Sequence, residues 1–149
     1  MKSASSLERT FHQKIPITRA MGVRVRRCTA EDVLLTAPLS KNRNHLKTGF
    51  GGSLSALATL AGYGMTWNIL AEMGLERTSH VVVQRSAIEY LKPVRSELRA
   101  LCKRPSPAAV KRFKVAFADR GKGRLRLRVV MGDEARPSVT FVGQFVALR

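Results

Sequence analysis

The sequence predicts an α+β fold in which one antiparallel sheet wraps around a single long central helix. Three features predict it. From Thr48 to Ala71, 24 consecutive residues carry no charge and no histidine, so a helix there is apolar around most of its circumference and has to be covered. On both sides of it apolar and basic residues alternate, as in Val23-Arg24-Val25-Arg26 and Arg124-Leu125-Arg126-Leu127-Arg128. That period of two belongs to strands with one dry and one wet face. The order is two strands, one long helix, then four strands with a small helix among them, and a sheet curled over the helix accommodates it most economically.

The elements follow in turn. Ser5 followed by Glu8 reads as a capping box that opens a short amphipathic helix with Leu7 and Phe11 on one side. Pro16 interrupts it, and Gly22 closes a second short turn. Val23–Cys28 and Val33–Leu39 are strands, joined by the hairpin turn Thr29-Ala30-Glu31-Asp32. A polar stretch, Ser40 to Asn44, leads to a glycine-rich entry and the long helix, about Gly52–Glu72, with Gly74 placed to cap its end. Val81–Leu91, rich in β-branched residues, is the next strand, and Ser96–Lys103 follows the turn at Lys92-Pro93. Over residues 107–118, Phe113, Val115 and Phe117 alternate like a strand while Val110, Phe113 and Phe117 keep helical spacing. Ser106 before Pro107, the favoured pair at a helix start, decides for a helix that Gly121 ends. Arg124–Met131 and Val139–Leu148 close the chain as strands. No repeat, linker or boundary interrupts the series, so residues 1–149 read as one domain.

The content of 44% hydrophobic and 25% charged residues suits a globular protein. The balance of charge is unusual: 27 Lys and Arg against 10 Asp and Glu give +17. Such an excess points to nucleic acid, an anionic membrane, a phosphate-bearing small molecule or an acidic carrier. The cations are interleaved with apolar residues rather than gathered in a tail, which makes them part of the folded surface. Aromatic residues are only 6% of the chain, few for base stacking, and no recognition motif occurs, so no specific nucleic acid is expected. Thr48–Ala71 has the length of a membrane span, but its five glycines, its hydroxyls and Asn68 mark a buried helix instead. Lys2, Glu8, Arg9, Lys14 and Arg19 break up the first segment, so it does not read as a secretory signal. Cys28 and Cys102 form no disulfide framework, and His12, His45 and His80 have no metal-ligand spacing. A cytoplasmic protein with no metal and no cofactor is expected.

No Ser-His-Asp set, Gly-x-Ser-x-Gly, P-loop or dinucleotide fingerprint is present. The segment with chemical content runs from Asn44 through Gly49-Phe50-Gly51-Gly52-Ser53 to Leu54. There a glycine pair feeds directly into a helix, whose first N–H groups lack internal partners and carry the positive end of its dipole. Glycine lets a ligand approach the main chain closely. Such an end holds an anion, or polarises a carbonyl whose oxygen gains charge during attack. Taken alone, the pair is better explained by a plain tight turn. Behind it Ser55, Thr59, Gly62 and Thr66 share one face of the helix, a small and hydroxyl-bearing stripe that fits a crevice or a close subunit contact. Leu54, Leu57, Ala58, Ala61, Met65 and Ile69 fill much of the rest and face the sheet.

Asn44 followed by Gly49-Phe50-Gly51-Gly52-Ser53-Leu54 at the opening of a long helix resembles the signature of hotdog-fold thioesterases. The variant with Phe before the glycine pair and Ser-Leu after it is most similar to the thioesterase domain at the C-terminus of YiiD-type acyltransferases. Ser86 to Val94, Arg120 to Arg124 and the closing strand with Gly143 are similar to the same group, so the resemblance runs from about Pro16 to Leu148. It implies a hotdog subunit in a homodimer or a dimer of dimers. A thioester of CoA or of an acyl-carrier protein then binds where the helix start of one subunit meets its partner. It further implies Gly52 as N–H donor to the thioester carbonyl. Asn44 and Thr59 read as groups that position the water, and Phe50, Gly51, Ser53, Tyr63, Ser86 and Lys92 as substrate-binding residues.

One departure matters. In the phenylacetyl-CoA type of hotdog thioesterase a carboxylate stands seven residues beyond that glycine, where this chain has Thr59. No Asp or Glu occurs between Asp32 and Glu72. Glu89 of the partner, on the strand expected to pair with its copy, is the other candidate base. The expected function is hydrolysis of acyl-CoA or acyl-carrier-protein thioesters. Two alternatives stand beside it: a non-catalytic acyl-CoA binder or sensor that kept the shape and lost the base, and a basic nucleic-acid-binding module supported by charge alone. Lys41, Arg43, Lys47, Arg85, Lys92 and Arg95 flank the site segments and suit a carrier's phosphates, whereas the Arg124-Arg126-Arg128 row reads as a solvated sheet face.

Overall fold

The uncharged segment forms α3 (Gly51–Glu72), and its last residue is the only charged one in it. The computed structural model describes residues 3–149. Ahead of α3 lie α1 (Ala4–Lys14), α2 (Ile17–Met21), β1 (Arg24–Cys28) and β2 (Asp32–Ala37); after it come β3 (His80–Tyr90), β4 (Leu98–Lys103), α4 (Pro107–Arg120), β5 (Lys122–Gly132) and β6 (Pro137–Leu148). The six strands make one antiparallel sheet in the order β1-β2-β4-β5-β6-β3. The sheet's inner face takes α3: Leu125, Leu127 and Val129 of β5 and Phe141 and Phe145 of β6 are buried with Leu54, Leu57, Ala61, Met65 and Ile69 of the helix. Each large apolar side chain removed from water in this way contributes about 1.5–3 kcal/mol.

The small residues of α3 divide into two uses. A Cβ at Gly62 would overlap the Phe145 ring, so this glycine is where helix and sheet touch most closely. Nearby, the Thr66 hydroxyl donates to the Gly62 carbonyl at 3.0 Å and is fully buried. Ser55 and Thr59, nearer the helix start, remain partly exposed. At its far end α3 finishes as expected on Gly74, whose φ of 71° no β-branched residue would hold cheaply. The N–H groups of Gly74 and Leu75 close back onto the carbonyls of Ala71 and Leu70, both at 3.0 Å, the paired bonds of a Schellman ending.

Two expectations from the sequence need correction. The cap of α1 is Ser3, which accepts from the Ser6 N–H at 3.3 Å, not Ser5 in a box with Glu8. Glu8 is engaged elsewhere: it accepts from the Val25 N–H at 2.8 Å and from Arg24 at 3.1 Å. β1 is an edge strand, so this carboxylate satisfies a main-chain donor that no neighbouring strand reaches. The second strand ends at Ala37 rather than Leu39, because Leu39–Lys41 turns into a short 3-10 segment after Pro38.

β4, α4 and α3 are tied together at Glu72. Its carboxylate accepts from both terminal nitrogens of Arg104, at 2.6 and 3.0 Å, and from Lys114 at 2.7 Å. The bonds from Arg104, supported by Lys114, hold the Glu72 carboxyl down at about 2 from an ordinary 4.5. A pKa lowered by folding gives stability that is complete above the unfolded value and is lost as pH falls through the folded one. The Glu72→Gln variant should therefore unfold at lower urea than the parent at pH 7, and the two midpoints should converge as pH falls from about 4.5 to about 2. A gap of unchanged size at pH 2 would contradict this role.

Candidate active site

The approach to α3 is a tight loop built by Asn44. Its Oδ1 accepts from the N–H groups of Leu46 and Thr48, at 2.9 and 3.1 Å, and its Nδ2 donates to the Thr48 hydroxyl at 3.0 Å. Lys47 takes the left-handed conformation at φ 63° to complete the turn. The chain is then clamped twice. The Gly49 N–H donates to the Val94 carbonyl at 2.7 Å, and the Phe50 N–H to the Asn42 carbonyl at 2.8 Å. Gly49 permits this approach, since a Cβ there would stand 3.1 Å from the Val94 Cβ.

The helix then starts without a cap. In α1 and α4 a serine takes one of the first N–H groups: Ser3 that of Ser6, Ser106 that of Ala109. In α3 the cap position is Phe50, which has no side-chain acceptor. The first bond at this end runs from the Leu54 N–H to the Phe50 carbonyl at 3.0 Å. The N–H groups of Gly51, Gly52 and Ser53 meet no acceptor among the described residues. They are three parallel donors at the positive end of a 22-residue helix. Gly52 is exposed, and a Cβ on it would lie 2.6 Å from the ring of Phe50, itself 53% exposed.

Beside this helix start is a cleft of about 310 Å³ between the loop and the β3–β4 connection. Of the residues singled out from the sequence, Asn44, Gly51 and Lys92 line it. Tyr90 and Val94 line it too, and the sequence did not single them out. The Tyr90 ring lies over Gly51, and its hydroxyl donates to the Gly51 carbonyl at 3.2 Å. Thr59 is seven residues past Gly52, roughly 10 Å further along the helix. Its hydroxyl donates to the Ser55 carbonyl at 2.9 Å, so only its lone pairs are free for a ligand. Ser53 is partly exposed on the first turn. Ser86 stands opposite Gly143, in the inward register of Phe141 and Phe145, and so faces the helix.

Three expected positions differ. Tyr63 packs against Phe11 of α1, ring centroids 5.6 Å apart, and does not line the cleft. A bulge in β3 puts Arg85 opposite Gln144 on the outer face of the sheet, away from the helix start. Glu89, opposite Thr140 in the outward register, also lies on that outer face. Burial pushes the thiols of Cys28 and Cys102 up to about 11 and about 12, so neither is a nucleophile near neutral pH. No cluster of metal-ligating side chains occurs among the described residues, and no helix among them is long and apolar enough to cross a membrane. Around the helix start the charges are of one sign. Lys41, Arg43, Lys47, Lys92 and Arg95 are exposed, and none pairs with a described carboxylate.

One antiparallel sheet curled around one long helix, with a glycine-led start open to a cleft, defines a hotdog fold of the thioesterase type. The chain matches the family described as "Putative thioesterase (yiiD_Cterm)" over residues 4–149, and it belongs to that family. Among solved structures it is similar to a protein of unknown function from Chlorobaculum tepidum, at 30% identity and a TM-score of 0.92, covering 98% of this chain and 94% of that one. It is similar also to a "putative thioesterase" from Shewanella oneidensis, at 26% identity and a TM-score of 0.85, covering 98% and 97%. A thioesterase from Haemophilus influenzae shares the fold at 14% identity, with a TM-score of 0.71 over all of this chain and 92% of that one.

Proposed function

We propose that this chain is an acyl thioester hydrolase acting on acyl-CoA or acyl-carrier-protein thioesters in the cytoplasm, with residues 1–149 as one domain. The observation that carries the proposal is the uncapped start of α3, with the Gly52 N–H unpaired next to Gly51 of the cleft wall, in a chain of a thioesterase family. The thioester carbonyl oxygen accepts from the Gly52 N–H and gains charge as water attacks. The helix dipole and the neighbouring N–H groups stabilise that charge. The water oxygen bonds to the carbonyl carbon and the C–S bond breaks. One water proton passes to the sulfur, and the acid formed ionises into solvent.

Thr59 accepts an O–H of the water, the one hydrogen-bonding role that its bond to Ser55 leaves open. Asn44, whose Oδ1 already accepts two N–H groups, supports the cleft wall and offers only its second Nδ2 hydrogen. Gly51, Ser53, Phe50, Ser86 and Lys92 contact the substrate, with Lys41, Arg43, Lys47 and Arg95 beside the carrier's phosphates or acids. Two copies pair through β3, the end strand of the sheet. Val82 and Val83 on it are 50% and 39% exposed, and a bare edge of this kind otherwise invites aggregation. The second reading, an acyl-CoA binder without turnover, is favoured by one observation: α3 carries no acidic residue before Glu72.

Thiol release from a panel of acyl-CoAs separates the two. The parent should turn over, and Gly52→Val should lower kcat at least 10²-fold, about the cost of losing one oxyanion donor. The half-exposed Phe50 ring can swing clear of the new side chain, so the variant stays folded. Thr59→Ala should lower kcat more than it raises KM. Binding of acyl-CoA with no turnover of any chain length would establish the second reading. In light scattering at micromolar concentration the chain should have twice its 16.5 kDa mass, or four times for a dimer of dimers; a monodisperse monomer would refute pairing through β3.

A further inference from the structure

At the far end of α3 the basic surface has a shape of its own. β5 pairs with β6 along its whole length but with β4 only at Val129–Met131. From Lys122 to Arg128 one edge of β5 therefore has no strand beside it, and α4 lies there instead. Gly123 draws the two together, with the Phe113 ring 2.7 Å from where a Cβ would stand. The groove left between them measures about 590 Å³. Lys111, Arg112 and Arg120 of α4 form one wall, and Lys122, Arg124 and Arg126 of β5 the other. Asp119 is the one carboxylate lining it. None of the six cations has a hydrogen bond or ion pair from its side chain to another described residue. Arg126 also opens onto a second cleft of about 310 Å³ between β4 and β5, where Arg128 continues the line, while Lys103 and Arg104 there are held by Glu134 and Glu72. The row that reads from the sequence as a solvated sheet face is one wall of a trench.

We propose that this trench binds the sugar–phosphate backbone of single-stranded nucleic acid without regard to sequence. Alternate residues of a strand stand about 7 Å apart on one face, so β5 presents evenly spaced cations that suit a polymer with one charge per repeat. Most are arginines, whose planar forks match phosphate oxygens. The groove is too small to take in a duplex. Its one aromatic, Phe113, is buried, so no ring is offered for stacking and recognition rests on the backbone. The cations do not serve a thioester at the helix start of the same subunit: α4 is bonded to Glu72, and the 22 residues of α3 put roughly 30 Å between its two ends.

The test uses the full chain and a fluorescein-labelled 20-nucleotide single-stranded DNA of mixed sequence, read by anisotropy across a salt series. One triple variant, Arg112→Gln/Arg124→Gln/Arg126→Gln, is compared with another of equal charge, Arg9→Gln/Lys14→Gln/Arg77→Gln. The trench variant should bind at least tenfold more weakly near 100 mM salt, with the slope of log K against log salt shallower by about 2. The control should stay within twofold of the parent, and thiol release should be the same in all three. A 20-residue polyglutamate should need at least tenfold more than unlabelled DNA to displace the probe. Equal losses in the two variants, or no binding by the parent, would overturn the proposal. Polyglutamate competing as well as DNA would overturn it in favour of an acidic protein partner.

Discussion

A 22-residue helix whose only charge is at its last position has no stable place in water. The rest of this chain is arranged to remove it from water. The strands turn apolar residues towards it, and the inner positions of β5 and β6 are almost fully buried. The helix reaches the sheet closely only because Gly62 leaves room for Phe145. β3 covers it least: Val81 is its one buried residue, and Ile88 packs partly buried against the core.

The same burial fixes the one part of α3 that remains open. A helix must leave its first N–H groups unpaired unless something caps them, and here the cap position is filled by an apolar ring. A clamp from Gly49 to Val94 holds the helix approach against the β3–β4 connection, and one from Phe50 to Asn42 holds it to the preceding loop, so the first turn stands with Gly51 on the wall of the cleft. In the function proposed above, the site works through main chain more than through side chains, and a helix without a carboxylate would keep the oxyanion half of the machinery for carbonyl attack.

Most of the fold was legible in the sequence because burial writes its period directly into the residues. The uncharged run gave α3, alternation gave the strands, and Ser106-Pro107 with Gly121 gave both ends of α4. One error came at Pro38, where a 3-10 turn ends β2 early; the other came where a polar side chain had a choice of partner. Glu8 lay at the right spacing from Ser5, yet an edge strand offered it an N–H donor, and no local pattern records a contact 17 residues away. At the site, Gly52 and the loop from Asn44 were legible as a motif. The tasks of their side chains were not: Asn44 spends its oxygen on its own turn, and Tyr63 faces α1. Tyr90 and Val94 were missed because they reach the helix start only through the pairing of β3 with β6. One signal was present and unread. Phe50 stands where a helix start usually places Ser, Thr, Asp or Asn, and that absence is itself the mark of an open helix end.

Amide chemical shifts measure that open end most directly. With ¹⁵N-labelled protein titrated with a non-hydrolysable acyl-CoA thioether, the largest shifts should fall at the N–H groups of Gly51, Gly52 and Ser53, with smaller ones at Tyr90 and Val94 across the cleft. Saturable binding that leaves those three amides unmoved, and shifts residues elsewhere in the fold, would contradict it.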